Sequence, residues 1–256
     1  MLALVLSLGL IGCGNNEPDM VLVEAGTTTE DNGEITVEDD FYIGKYHVTQ
    51  AEFEEVMGFN PSIFDGNSDH PVENVTWYDA VKYANELSEA EGLDKYYNIS
   101  DIEYKGEDAE EYWEHPENID DAEVEENEGA NGYRLPTENE HEYAARGGKD
   151  GDATTYAGSD DLDEVGWYRD NSDEANSDRD DDRGTMPVGE KDANELGIYD
   201  MSGNVWDWTN TPDGSYRIAL GGSWYNIADS CEVDFSDSDS PSSVYISLGF
   251  RLTKTQ

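Results

Sequence analysis

The stretch ELGIYDMSGNVWDW, from Glu195 to Trp208, gives the strongest indication of how this chain folds. Gly203 allows the backbone to turn tightly just before two tryptophans that flank one carboxylate. Because side chains alternate between the faces of a strand, Trp206 and Trp208 are expected on one face and Asp207 on the other. Each tryptophan hides a large apolar area, so we predict that this stretch anchors the core.

Three helices are predicted around this stretch from their start signals. Thr49 is a plausible N-cap for a helix over 50–57, with Gly58 as its stop. Thr76 or Asp79 starts a second helix, and Thr137 with Glu140 fits a capping box for a third that closes at Gly147. The second helix has a regular apolar face, formed by Ala80, Tyr83, Ala84 and Leu87.

Composition limits the classes of function. The 256 residues fit one large domain, and 36% hydrophobic residues, with 16 Tyr and 6 Trp, suffice for a sizeable core. The chain has 61 acidic against 14 basic residues, a formal charge of −47, which excludes ordinary nucleic-acid binding. Residues 101–128 carry fourteen acids and one Lys with no regular spacing, which indicates an exposed loop or hairpin insertion and not a ligand cluster.

The first residues, MLALVLSLGLIGC, form an apolar run that is too short to span a bilayer as a helix. The end of the run resembles the bacterial lipobox, in which the signal is cleaved before a cysteine that then receives lipid. We therefore predict a signal peptide over 1–12, lipidation of Cys13, a linker over 13–19 and one domain over 20–256. A cleaved secretory signal without lipid is the alternative, and both place the domain outside the cytoplasm. Lipidation of Cys13 would leave Cys231 without a disulfide partner.

Several segments together resemble the formylglycine-generating enzyme, or sulfatase-modifying factor, family. They lie in family order and are MVLVEAGTTT (20–29), YHVTQAEFEEVM (46–57), NGYRLPTENEHEYAARGG (131–148), ELGIYDMSGNVWDW (195–208), RIALGGSW (217–224) and LGFRL (248–252). The resemblance implies an irregular α+β fold related to the C-type lectin fold, with few regular elements and many loops.

The resemblance also implies structural calcium, which takes oxygen ligands. The family's ligand positions fall here on Asp200, the Gly203 carbonyl, the Val205 carbonyl and Asp207. A second family site falls less surely on Asn171, the Ser172 carbonyl and Asp180, in an acidic loop whose alignment is loose. The family more often has Asn and Glu where this chain has Asp200 and Asp207, and each acid could instead serve a turn or an N-cap.

The family's catalytic chemistry needs a pair of cysteines, five residues apart, that holds copper(I). The second position falls on Cys231, but the first falls on Asn226, and an amide cannot replace a soft thiolate. Copper is therefore not expected, and Cys231 is most simply a small buried apolar residue. An iron site like that of some relatives would need clustered histidines, but the four histidines are scattered in sequence, and His141 is expected to pack rather than bind metal.

The tail, residues 225–247, differs from its surroundings. It contains seven Ser, four Asp, two Tyr, two Ile, two Val and one Phe, and no Lys, Arg, Gly, Thr or Gln. Small hydroxyls, short acids and aromatic rings are typical of adaptable binding surfaces. The composition also resembles the variable region of proteins diversified by retroelements, while ordinary drift in an acidic loop explains it equally well. The predicted contact residues are Tyr225, Ile227, Asp229, Asp234, Phe235, Ser236, Asp237, Tyr245 and Ile246.

The sequence therefore favours an extracytoplasmic lipoprotein of the cell envelope. It would use a formylglycine-generating-enzyme-like fold to bind or display a ligand, which would be a protein or a glycan. A lipid anchor would hold it at the membrane, and no nucleic acid is expected as a partner. One alternative is an oxidoreductase of the family, either formylglycine-generating or another nonheme metal enzyme. A structural envelope protein is the other.

Overall fold

The computed structural model describes residues 18–30, 33–106, 109, 114–173 and 183–256. It confirms the irregular α+β fold. The helices are α1 (Gln50–Met57), α2 (Trp77–Ala90), α3 (Glu138–Ala145) and α4 (Leu162–Val165). The strands are β1 (Met20–Val23), β2 (Gly26–Glu30), β3 (Gly33–Val37), β4 (Phe41–Gly44), β5 (Tyr97–Tyr104), β6 (Ile119–Glu126), β7 (Trp206–Asp213), β8 (Tyr216–Leu220), β9 (Ser236–Asp239), β10 (Leu248–Gly249) and β11 (Thr253–Thr255). Among the described helices, none combines the length and the apolar character needed to cross a bilayer.

The strands form two small sheets and two ribbons. One sheet has the order β1-β4-β11, so that the first and last strands flank β4 and the two ends of the domain meet. The other has the order β10-β7-β8-β9, with β10 parallel to β7 and the remaining pairs antiparallel. This second sheet carries the tryptophan stretch in its centre and part of the tail, strand β9, at its edge.

The predicted helix starts are confirmed. The side chains of Thr49, Thr76 and Thr137 each accept a hydrogen bond from the backbone N–H of the third helical residue. The carboxylate of that third residue in turn accepts a hydrogen bond from the backbone N–H of the threonine. The cap of α2 is thus Thr76, and Asp79 is its partner in the capping box. Helix α1 ends at Gly58, whose φ of 81° is a left-handed conformation that glycine adopts without strain.

The larger core cluster lies between α1, α2 and the tryptophan stretch. The predicted apolar face of α2 is buried along its whole length. Tyr83 of that face stacks on Phe53 of α1, with ring centroids 5.5 Å apart, and meets the edge of Phe250 at 5.4 Å. Trp208 is fully buried and donates its indole N–H to the Val75 carbonyl, so the predicted role of this tryptophan in the core is confirmed.

The described part of the acidic segment forms the ribbon of β5 and β6 and is mostly exposed along its outer side. A buried carboxylate of α2 helps to attach the ribbon to the domain. Asp79 accepts hydrogen bonds from the Asn118 amide at 2.7 Å and from the Ile119 backbone N–H at 2.9 Å. A residue that caps a helix therefore also holds the insertion against the domain.

Asp207 lies on the opposite face of β7 from the two tryptophans, as the alternation predicts. Its carboxylate is 1% exposed and accepts hydrogen bonds from Arg251 Nε at 2.7 Å and His141 Nε2 at 2.9 Å. His47 Nε2 lies 3.6 Å from the other carboxylate oxygen. The Arg251 guanidinium also donates to three backbone carbonyls, those of Gly44, Tyr199 and Asp200, at 3.1–3.2 Å. A single buried ion pair thus ties together β7, α3, the segment after β4 and the chain before β11.

Burial by itself would raise the pKa of Asp207, but the adjacent Arg251 guanidinium holds it well below its usual range. Burial lowers the pKa of His47 to about 3 in spite of the nearby Asp207. The His47 imidazole is therefore neutral at neutral pH, and the charge of Asp207 is balanced mainly by Arg251.

Replacing Asp207 with Asn should lower the free energy of unfolding by about 3–5 kcal/mol, because it leaves Arg251 charged and buried without a counter-ion. Urea unfolding followed by tryptophan fluorescence measures the change. Asp213→Asn, at the exposed end of the same strand, is the matched control and should stay within about 0.5 kcal/mol of the parent. Equal, small effects of both substitutions would contradict a stabilising role for the ion pair.

His47 gives the fold a specific pH dependence. Its folded pKa of about 3 lies below the unfolded value, so the unfolded chain takes up a proton first, and stability falls as the pH decreases below about 6.5. The pKa of Asp200 is raised to about 6 by burial and acts in the opposite direction, but it is present in the parent and in a His47→Gln variant alike. The stability advantage of the parent over His47→Gln should therefore shrink by about 1–3 kcal/mol between pH 7 and pH 4, measured by urea unfolding. A difference that does not change with pH would contradict burial of neutral His47.

Candidate functional site

The tail leaves the β7–β8 sheet at Gly221 and Gly222 and returns to it as β9. Gly222 has a φ of 70°, and a Cβ atom there would lie 2.5 Å from the Ser230 carbonyl oxygen and 2.6 Å from Cys231 Sγ. Only glycine allows the two backbone segments to come this close. In the turn Ala228–Cys231, Cys231 is buried, Ala228 packs beside it against the same apolar cluster, and Asp229 is exposed.

Eight of the nine predicted contact residues are exposed, and the ninth, Ile246, is half-buried against the cluster of Phe64, Val205 and Trp224. The exposed apolar members are large. Tyr225, Ile227, Phe235 and Tyr245 are 59%, 43%, 40% and 49% exposed, respectively. The structure therefore places these apolar side chains on the outside of the domain, together with the acids of the tail.

The Trp206 side chain lies beneath this surface and contacts several parts of the tail. Its indole N–H donates to Asn226 Oδ1 at 2.9 Å, and its ring lies 6.0 Å from that of Phe235. It also lines a hollow that Tyr245 borders. Three separate parts of the tail thus meet around one buried ring, and their side chains form one continuous surface.

The two positions that correspond to the copper-binding cysteines carry no thiol pair. The Asn226 amide oxygen is already bound by Trp206 and by the Ser223 hydroxyl. Cys231 is fully buried in a small apolar cluster with Leu162 and Val165. Burial raises the pKa of its thiol to about 12, so the thiolate that a soft metal requires is disfavoured at this position.

The four positions predicted to bind calcium lie close together, and Asp200 Oδ1 and Asp207 Oδ1 are buried without a hydrogen-bond partner. Yet nitrogen donors surround them. The Val205 carbonyl accepts from His47 Nε2 at 3.1 Å, and Arg251 already neutralises Asp207. A calcium ion needs several free oxygen ligands and no adjacent positive charge. These residues therefore do not fit calcium as they stand, and calcium at Asp200, Gly203, Val205 and Asp207 stays a prediction without support from this geometry.

The second predicted calcium position is only partly described. Asn171 has its amide engaged with Asp163 and the Gly166 carbonyl, and the Ser172 hydroxyl donates to the Trp224 carbonyl. Asp180 lies outside the described residues, as do Cys13 and the predicted signal peptide before it. Within the described ranges, no group of three or more His, Cys, Asp or Glu side chains is arranged to hold a metal ion.

Two features of this region were not predicted from the sequence. The first is the position of His47 and His141 beside Asp207. Their separation along the chain hides it, and only the tertiary structure shows it. The second is that Trp206 and Trp208 border the binding surface as well as the core. The alternation along β7 already placed both rings on one face, but their small neighbour on that face, Ala219, lies on another strand.

Comparison with known proteins agrees with this architecture. Residues 12–256 match the Sulfatase-modifying factor enzyme 1-like domain. The chain is 43% identical over 256 residues to the chaperone protein LppX of Paenibacillus barcinonensis, covering 89% of this chain and 88% of that protein. Among solved structures, Treponema denticola variable protein 1 superimposes with a TM-score of 0.75 at 29% identity, over 93% of this chain and 95% of that one. CarF superimposes with a TM-score of 0.70 at 27% identity, over 93% and 98%.

The match extends over nearly the whole chain and includes every segment that indicated the fold. The protein therefore belongs to the family of sulfatase-modifying factor enzyme 1-like domains and has that family's irregular α+β fold.

Proposed function

We propose that this protein is a lipid-anchored, extracytoplasmic binding module that holds its ligand on the exposed side of the tail. The proposal rests on the position of the large apolar side chains that are exposed to solvent. Among the described residues these are Leu22, Tyr104, Tyr216, Tyr225, Ile227, Phe235 and Tyr245, and the last four belong to the tail. Clustered exposed apolar residues mark interaction surfaces.

The surface has the chemistry of an adaptable binding site. Tyrosine and phenylalanine offer large contact areas at low entropic cost, while serine and aspartate supply hydrogen bonds of either kind. The glycine turn at Gly222 and the indole of Trp206 hold the backbone from beneath. The exposed side chains can therefore differ among proteins of this fold without loss of the scaffold.

The name of one relative supports a polypeptide as the ligand, and the name of another supports a variable surface. One relative, 43% identical, is named a chaperone, and chaperones act on other proteins. One solved neighbour is named a variable protein, which agrees with a scaffold that presents changeable residues. We therefore favour a protein ligand over a glycan for this chain.

The proposed anchor fits this role. Lipid on Cys13 would attach the chain seven residues before β1 begins at Met20. An extended segment of that length spans at most about 25 Å, so the domain would stay close to the membrane surface. The ligand would then be another component of the envelope or a molecule that reaches it from outside.

An oxidoreductase of the family is the competing hypothesis, and its thiol chemistry separates it from ours. Because Cys231 is buried and its pKa is raised to about 12, we expect iodoacetamide to leave it unmodified in the folded protein at pH 8 and to label it after unfolding. Mass spectrometry measures the modification. Cys231→Ser should cost some packing and leave ligand binding within about twofold, whereas loss of a copper- and oxygen-dependent activity in that variant would favour the enzyme.

The binding proposal is tested with a photo-crosslinking amino acid placed at Tyr225 and, as the matched control, at Tyr104, which is exposed to a similar degree on the β5–β6 ribbon. In the native cell envelope, position 225 should crosslink to a discrete protein and position 104 should not. Adding Phe235→Ser and Tyr245→Ser should weaken binding of the identified partner at least about tenfold, as expected for aromatic contact residues. Equal crosslinking at both positions, or a partner that withstands protease, would contradict a protein ligand on the tail.

A further inference from the structure

A hollow lies on the face of the second sheet that carries Trp206 and Trp208, between β7, β8 and β9. Trp208 pairs with Ala219, and Ala219 pairs with Asp237, so these three side chains form one row across the sheet. The methyl group of Ala219 is too small to fill the space between its neighbours. The result is a hollow of about 80 Å³, which is room for part of a single side chain.

The walls of the hollow are aromatic and apolar. Trp206, Trp208, Tyr245 and Leu248 line it, and of the two tryptophans Trp208 is itself fully buried. Indole and phenol rings present a negative face to groups above them and attract cations that come within about 6 Å of the ring centre. The walls therefore suit an aliphatic stem that carries a positive charge.

The rim of the hollow is acidic and is not neutralised by the protein itself. Asp237 is exposed and accepts a hydrogen bond from the backbone of its neighbour Ser238. Asp239 binds the Ser243 hydroxyl and fixes the Tyr245 ring through that residue's hydroxyl. Among the described residues, no Lys or Arg forms an ion pair with either acid. The nearest basic side chain along the sheet, Arg217, lies over the Trp77 ring instead, 3.9 Å from its centre.

We propose that this hollow receives a lysine or arginine side chain of a partner polypeptide. The methylene stem would lie on Ala219 and the Trp206 ring, and the cationic head would meet Asp237 and Asp239. This inference rests on the proposed binding function of the tail and specifies the chemistry of its ligand.

Charge on the whole molecule points to the same class of partner. At a net charge of −47, the protein repels acidic surfaces and draws basic ones toward it. A purely apolar side chain in the hollow would remove water from two carboxylates and give them nothing in return. A long side chain with an apolar stem and a charged end satisfies both the walls and the rim.

A polycation would bind anywhere on so acidic a protein, so the test uses singly charged probes and a local signal. The probes are blocked tripeptides, acetyl-Gly-Lys-Gly-amide and the same peptide with norleucine or glutamate in place of lysine. Nuclear magnetic resonance of the indole N–H groups of Trp206 and Trp208 reports binding at the hollow. We expect a saturable shift at millimolar lysine peptide and none with the other two probes.

Three variants locate the interaction. Ala219→Leu fills the hollow without a change of charge and should reduce the association constant for the lysine peptide at least about tenfold, as a lost well-packed contact does. Asp237→Asn should reduce it several-fold. Glu103→Gln removes the same charge from the remote β5 strand and should have an effect smaller than twofold. Tyr245→Ser is a second variant of the wall should Ala219→Leu fail to fold.

The proposal is overturned if the norleucine peptide binds equally well, if the shift persists in Ala219→Leu, or if no shift occurs. Its fate is separate from that of the binding function. A partner crosslinked at position 225 together with a silent hollow would leave the function in place and remove the cationic ligand. If the hollow binds the lysine peptide but no partner crosslinks at position 225, the cation site would stand and the proposed binding function of the tail would be contradicted.

Discussion

The fold depends on the buried ion pair between Asp207 and Arg251. Both side chains are almost fully removed from water, so each charge would be very costly without the other. The guanidinium also donates to three backbone carbonyls, those of Gly44, Tyr199 and Asp200. One side chain near the end of the chain thus fixes the relative positions of the two sheets, and His141 extends the same contact to α3.

The ion pair and the proposed binding surface lie on opposite sides of β7. Because side chains alternate along β7, fixing Asp207 on one face fixes Trp206 and Trp208 on the other, where Trp208 enters the larger core and Trp206 lies beneath the tail. Trp206 then holds Asn226 and Phe235, and with Trp208 it forms the wall of the hollow. The rigidity of the surface is therefore a consequence of the buried charge, while the exposed residues above it make few contacts that the fold requires.

This division is consistent with the proposed use of the family's fold for binding. The family's copper chemistry would need two thiolates in the tail, and here Asn226 has become a structural hydrogen-bond acceptor while Cys231 packs in an apolar cluster. Neither position is itself a member of the core cluster of α1, α2 and the tryptophan stretch. The exposed side of the tail is free to take on aromatic and acidic residues, because the glycine turn and the strand pairing of β9 determine its path.

Features that depend on residues close together along the chain could be predicted from the sequence. The three capping boxes follow from residues three positions apart, the apolar face of α2 from its helical period, and the facing of the tryptophan pair from strand alternation. The family motifs gave the fold class in the same way, since each is a short continuous segment. Only the tertiary structure decided which distant residues meet. His141 reaches Asp207 across 66 positions and Arg251 lies beside His47 across 204, so no local pattern reports these contacts. Ala219 creates the hollow only because strand pairing sets it between Trp208 and Asp237, and a residue's neighbours on other strands are fixed by folding and not by its place in the chain.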